Sequence, residues 1–196
     1  MSTVAAKTRY TPEDLLTMPD SVDFELVDGE LVRRNMGLQS SLIGGELYRR
    51  MSNFSHESGG GWTLPADASY QCFPDDPDKV RKPDVSYIRR ERLSLDQFPR
   101  GHARIFPDLA AEVVSPNDLF EEVMVKVEEY LAAGVRLVWV LDPFARRIHV
   151  FRADGTGTIL RADDELSGED VLPGFHCRVG DLFLVPAGVR EAASGQ

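Results

Sequence analysis

The chain has 196 residues, 42% of them hydrophobic, enough to build one domain around a real core, which excludes a disordered chain. No apolar run approaches the ~20 residues that span a bilayer, and the start, "MSTVAAKTRYTPEDLL", lacks the apolar stretch of a secretory leader. The formal net charge of −10 opposes binding of phosphate backbones through bulk charge.

Residues 1–9 read as a tail, residues 10–186 as a single domain and residues 187–196 as a second tail. "TPEDLLTM" reads as a short helix, with Thr11 as N-cap, Pro12 in the first turn and Glu13 and Asp14 at the positive end of the helix dipole. "FELVDGELVRR" is a hairpin, because Asp28-Gly29 is a two-residue turn signal between strand-like runs. A helix over residues 38–56 follows, with Leu38, Leu42, Leu47, Met51 and Phe54 at helical spacing. Gly44 and Gly45 mark a close approach of another backbone, or weaken that helix. "GGGWTLP" ends it and opens strand-like sequence through Cys72.

"FPDDPDKVRKP" is a polar, proline-rich turn region, "DVSYI" a strand and "ERLSLDQF" a helical turn. "DLAAEVVSP" reads as a buried strand. The most regular helix is "NDLFEEVMVKVEEYLAAG", where Phe120, Val123, Val127, Tyr130 and Leu131 share a face and Gly134 suits the C-terminal cap. "VRLVWVLD" is another buried strand, "RIHVFR" its partner after a turn, and the remainder is short strands and turns. This order of hairpin, helix, strands, helix and strands implies an α/β or α+β fold around a central mixed sheet.

Several chemistries lack their signatures. There is no G-x-x-x-x-G-K-[ST] loop, G-x-S-x-G elbow or H-E-x-x-H helix, and His56, His102, His149 and His176 show no ligand spacing. Cys72 and Cys177 form no metal-type pair, so reduced thiols and a cytoplasmic protein are the simplest reading. Arg33-Arg34, Arg49-Arg50, Arg81-Lys82 and Arg89-Arg90 form either a local basic surface or ordinary solvated faces.

What remains is a pair of acids on neighbouring strand-like segments, Asp84 heading "DVSYI" and Glu112 inside "LAAEVVSP". A carboxylate in a run of Leu, Ala and Val is costly to bury without a partner, which a divalent cation or a lysine would provide. Carboxylates with open water positions suit Mg²⁺. Lys126 falls about 90° from the centre of the apolar stripe of its helix, where it can reach a strand end and steady negative charge on a phosphate. Each residue also has a plainer account. Asp84 fits a turn cap after Pro83 equally well, and Lys126 forms a favourable i,i+4 pair with Glu122. Asp108 and Asp142 sit naturally in turns beside Pro107 and Pro143.

Taken in order, "FELVDGELV", "RKPDVSYI", "DLAAEVVSPND", "KVEEYLAAGVRLVWVLDP" and "VLPGF" make the chain resemble the Uma2 family, of the restriction-endonuclease-like PD-(D/E)XK superfamily, from about Tyr10 to Val185. The resemblance implies a mixed β-sheet flanked by helices, with additional hairpins and a metal site at one sheet edge. Pro83-Asp84 matches the "PD" element and Glu112 the acid of "(D/E)XK"; Val114 stands where the lysine would be, and Lys126, on the following helix, matches its migrated counterpart. Glu25 corresponds to a recurrent family position and is a further candidate ligand; Glu46, on the first long helix, is another. The expected activity is Mg²⁺- or Mn²⁺-dependent hydrolysis of phosphodiester bonds in nucleic acid, with DNA favoured, by a homodimer without membrane association. The alternatives are a nuclease fold kept as a non-catalytic binding or assembly module, and hydrolysis of a different substrate at the same site.

Overall fold

A computed structural model describes residues 9–35 and 37–183; the two expected tails lie, but for Arg9, outside them. Helix α1 (Pro12–Thr17) starts as its sequence requires: the Thr11 side chain accepts from the Asp14 backbone N–H, and the Asp14 carboxylate accepts from the Thr11 N–H at 2.8 Å. Strands β1 (Phe24–Val27) and β2 (Glu30–Arg33) form the hairpin. Asp28 and Gly29 both have positive φ, 52° and 78°, the conformation of a type I′ turn, which aspartate tolerates and glycine adopts at no steric cost.

Six strands form the central sheet in the order β3 (Gly61–Pro65), β4 (Val85–Arg89), β5 (Leu109–Val113), β6 (Leu137–Asp142), β7 (Arg147–Arg152) and β8 (Gly157–Leu160). All neighbours are antiparallel except β5 and β6, which helix α3 (Phe120–Ala133) joins as the crossover that parallel pairing demands. Side-chain alternation sorts the sheet into two faces. Leu109, Ala111, Leu137 and Trp139 pack against Ile43, Leu47 and Met51 of helix α2 (Leu38–Ser58). Ala110, Val138 and Val140 pack against Val123, Val127 and Tyr130 of α3. The short pair β9 (Glu165–Ser167) and β10 (His176–Arg178), with the one-turn helix α4 (Val179–Leu182), extends the α2-side core. The mixed α+β fold expected from the sequence is the fold observed.

Three local expectations differ. The buried stripe of α2 runs through Ser40, Ile43, Leu47 and Met51, while Leu38 and Leu42 are 91% and 56% exposed, because at about 100° per residue they fall on the opposite face of the helix. Phe120, in the first turn of α3, is 65% exposed with its ring beside His149 of β7. The strand after "GGG" ends at Pro65; the chain through Cys72 is irregular and touches the rest through isolated bridges, including Tyr70 to Arg81. Among the described residues no helix is long and apolar enough to cross a membrane.

Gly134 caps α3 with φ of 105° and offers its N–H to the Leu131 and Tyr130 carbonyls. A Cβ there would meet the Phe106 ring at 2.8 Å. Gly134→Ala therefore combines backbone strain with a clash and is expected to cost about 1–3 kcal/mol, read as a lower urea midpoint with an unchanged slope.

Candidate functional site

The antiparallel register of β4 and β5 pairs Val85 with Ala111. One further step along both strands sets Asp84 beside Glu112, so two acids distant in sequence become cross-strand neighbours. Helix α3 crosses this end of the sheet, and its Lys126 and Tyr130, one turn apart, both reach Glu112. The Tyr130 hydroxyl donates to Glu112 Oε1 at 2.7 Å, and Lys126 Nζ lies 3.4 Å from Oε2. Lys126 thus turns inward rather than pairing with Glu122 on the helix surface.

Glu25 enters from β1 and is 1% exposed. Its Oε1 accepts from the Lys82 backbone N–H at 2.8 Å, and its Oε2 takes Arg81 Nη1 at 2.9 Å and Lys126 Nζ at 3.2 Å. Arg81 continues to Glu129 at 2.7 Å, and Glu129 to Lys79 at 2.9 Å. Asp84 is held separately: Val113 N–H donates to Oδ2 at 2.8 Å and Arg34 Nη2 to Oδ1 at 3.2 Å. Arg34 also donates to the Ala66 carbonyl at 3.1 Å.

Two cavities open here. One, of about 220 Å³, is lined by Glu25, Arg34, Arg81, Glu112 and Lys126 among others. The second, of about 210 Å³, is lined by Asp84, Arg34, Gly44, Gly45 and Tyr48 among others. Arg34 and Asn35 border both, so the segment leaving β2 forms the partition between them. The close backbone approach expected at Gly44 and Gly45 is not what is found: a Cβ at Gly44 would make ordinary contact with the side chains of Val113 at 3.7 Å and Asp84 at 3.9 Å, and one at Gly45 would meet nothing within 4 Å.

The carboxyls differ in electrostatic state. Burial pushes Glu112 up to about 7, against the attraction of Lys126, and the nearby Asp84 and Glu25 charges add to the rise. Burial also raises Asp84, less the pull of the Val113 N–H and Arg34. Glu25 goes the other way: burial penalises its charge, but Lys126, Arg81 and the Lys82 N–H together hold it down to about 2. Lys126 is raised, because Glu112 and Glu25 outweigh its own burial.

This donor set fits a hard divalent ion. Asp84 and Glu112 offer carboxylate oxygens, and Glu112 sits where its negative charge is under-compensated, so a cation would favour its ionised form. Among the described residues no three His, Cys, Asp or Glu side chains are grouped so as to hold a metal ion. Glu46 lines neither cavity; its carboxylate is taken by Arg49 and Arg50 of its own helix, each at 2.7 Å.

The basic pairs are not a uniform surface. Arg81 and Lys82 are each 5% exposed and buried in the network, whereas Arg33 and Arg49 reach solvent. Asp108 is more than a turn residue, since it holds Arg89 and Arg92. Sequence reasoning missed Arg34 and Arg81 as neighbours of the site, and took Tyr130 only as a core residue. The one available signal was the Lys126–Tyr130 spacing, which puts both on one helix flank.

The fold is of the restriction-endonuclease-like class. The chain belongs to the Uma2 family, whose model, described as "Putative restriction endonuclease", matches residues 12–180. Its fold is similar to the crystal structure of "a putative nuclease belonging to DUF820" from Anabaena variabilis ATCC 29413, with a TM-score of 0.74 and 20% identity over 88% of this chain and 97% of the other. No curated protein matches the chain.

The opposed shifts of Glu25 and Glu112 have opposite consequences for stability. Glu25, lowered from 4.5 to about 2, contributes stability that is present above 4.5 and lost as pH falls through 2. Glu112, raised from 4.5 to about 7, holds its proton in the folded chain only, so its contribution declines as pH rises from 4.5 to 7. In metal-free buffer, Glu112→Gln should gain stability relative to the parent chain across that interval and run parallel above it. Urea midpoints at successive pH values test this, and a constant gap would refute it.

Proposed function

We propose that this protein is a divalent-metal-dependent endonuclease that hydrolyses phosphodiester bonds in DNA. The observation that carries the proposal is the β4–β5 register, which sets Asp84 across from Glu112, with Lys126 3.4 Å from Glu112. Membership of a family described as restriction endonucleases supports the same reading.

Asp84 and Glu112 would hold Mg²⁺ or Mn²⁺. When bound, that ion supplies Lewis acidity toward the scissile phosphate and lowers the pKa of a bound water. Lys126, aimed at Glu112 across 3.4 Å, would hold the attacking water or balance charge growing on the phosphate. Tyr130 fixes Glu112 Oε1 through its hydroxyl, leaving Oε2 as the oxygen that faces Lys126. Positioning and electrostatics carry most of the catalysis in phosphoryl chemistry, so these few groups suffice. Net acidity of the chain then matters less, because cation and substrate charge neutralise each other locally.

One observation favours a second reading, a non-catalytic nucleic-acid or assembly module: Arg34 already compensates Asp84. Metal titration separates the two, since only the nuclease requires cation binding at Asp84 and Glu112.

Asp84→Ala should abolish Mg²⁺-dependent cleavage of plasmid and oligonucleotide DNA while leaving the circular dichroism spectrum unchanged. Cleavage at the parent rate by that variant would end the assignment. By analogy with the superfamily, the active form is a homodimer that addresses two strands; sedimentation at micromolar concentration should give twice the 21.8 kDa chain mass, and a monomer would count against it.

A further inference from the structure

Glu25 is the most deeply buried acid of the cluster, and the family resemblance makes it a candidate ligand. Its contacts argue for another role. Both oxygens are engaged by cationic or N–H donors: the Lys82 N–H on Oε1, and Arg81 and Lys126 on Oε2. A carboxylate accepting from two cations is a poor site for a third, because each donor already satisfies part of its charge and its lone pairs. Lys126 is 3.2 Å from Glu25 and 3.4 Å from Glu112, so its ammonium lies between the two acids. Arg81 is itself fixed from its other side by Glu129, which makes the Glu25 anchor rigid.

We infer that Glu25 is a positioning residue that holds the Lys126 ammonium in front of Glu112, and is not itself a cation ligand. Its negative charge keeps a lysine ammonium stable where burial alone would disfavour it. Its place on the β1–β2 hairpin makes that hairpin a structural part of the site. The lysine absent at Val114 is thereby replaced in function by two elements acting together, α3 supplying the ammonium and β1 fixing it. This rests on the nuclease reading for its catalytic consequence, but not for the coupling itself.

The test is a double-mutant cycle between Glu25→Gln and Lys126→Ala, with Glu112→Gln as the ligand control. In calorimetric titrations with Mn²⁺ alone, E112Q should lose more than about tenfold in affinity, while E25Q stays within about fivefold of the parent chain. In cleavage assays E25Q should lower kcat about a hundredfold with KM little changed, and should add almost nothing in the K126A background. Unfolding constants in EDTA should likewise be non-additive by about fivefold or more. Should E25Q fail to fold, E25D shortens the side chain, retains the charge and enters the same cycle. A Mn²⁺ loss in E25Q matching that of E112Q, or additive effects throughout, would overturn the inference. If the parent chain cleaves no nucleic acid with any metal, the nuclease reading fails alone, and the metal titration and unfolding cycle still decide the role of Glu25.

Discussion

One ammonium shared by two buried carboxylates sets the terms for the rest of the site. Lys126 touches both Glu25 and Glu112, and the outcome is asymmetric: the same cation leaves one acid near 2 and the other near 7. The difference lies in their other partners. Glu25 has Arg81 and the Lys82 N–H in addition, whereas Glu112 has a neutral tyrosine hydroxyl and a second carboxylate beside it. Burial is expensive for both. One is compensated by the protein; the other is left with capacity for a cation.

The wider charge balance follows the same logic. Asp84, Glu112, Glu25 and Glu129 are paired with Arg34, Lys126, Arg81 and Lys79, an arrangement that low-dielectric surroundings favour because unpaired charges there are costly. On the proposed nuclease reading, a divalent ion added to such a floor would leave it positive, and a phosphodiester would restore the balance.

The sheet supplies the rigidity that such a balance needs. Trp139, Tyr87 and Leu109 on one face and Tyr130, Ala110 and Val138 on the other are all nearly inaccessible, so β4, β5 and α3 cannot shift independently. Tyr130 serves both layers, filling the α3-side core with its ring while its hydroxyl reaches Glu112. The hairpin β1–β2 is less deeply embedded, tied through Leu26 and Val80 and through Glu25.

Local signals determined much of this protein from the sequence alone. Asp28-Gly29 dictates its turn because only certain residues accept positive φ, Thr11 and Asp14 cap their helix through neighbours three residues apart, and the apolar runs around Ala110 and Val138 have nowhere stable to be but a buried sheet. Glu112 was legible as a candidate because a charge inside an apolar run is anomalous by itself, whereas Asp84 and Lys126 each had a plain local account and were marked out by the family resemblance. What only the tertiary structure decided is which charge meets which. Arg34 reaches Asp84, Arg81 reaches Glu25 and Lys126 chooses Glu25 and Glu112 over Glu122 because strand register and helix placement bring them within about 3 Å, and no property of the separate segments encodes that proximity. Leu38 and Leu42 make the converse case: the helix was legible, but they lie on the face opposite Leu47 and Met51, and only the packing against the sheet shows which face is buried.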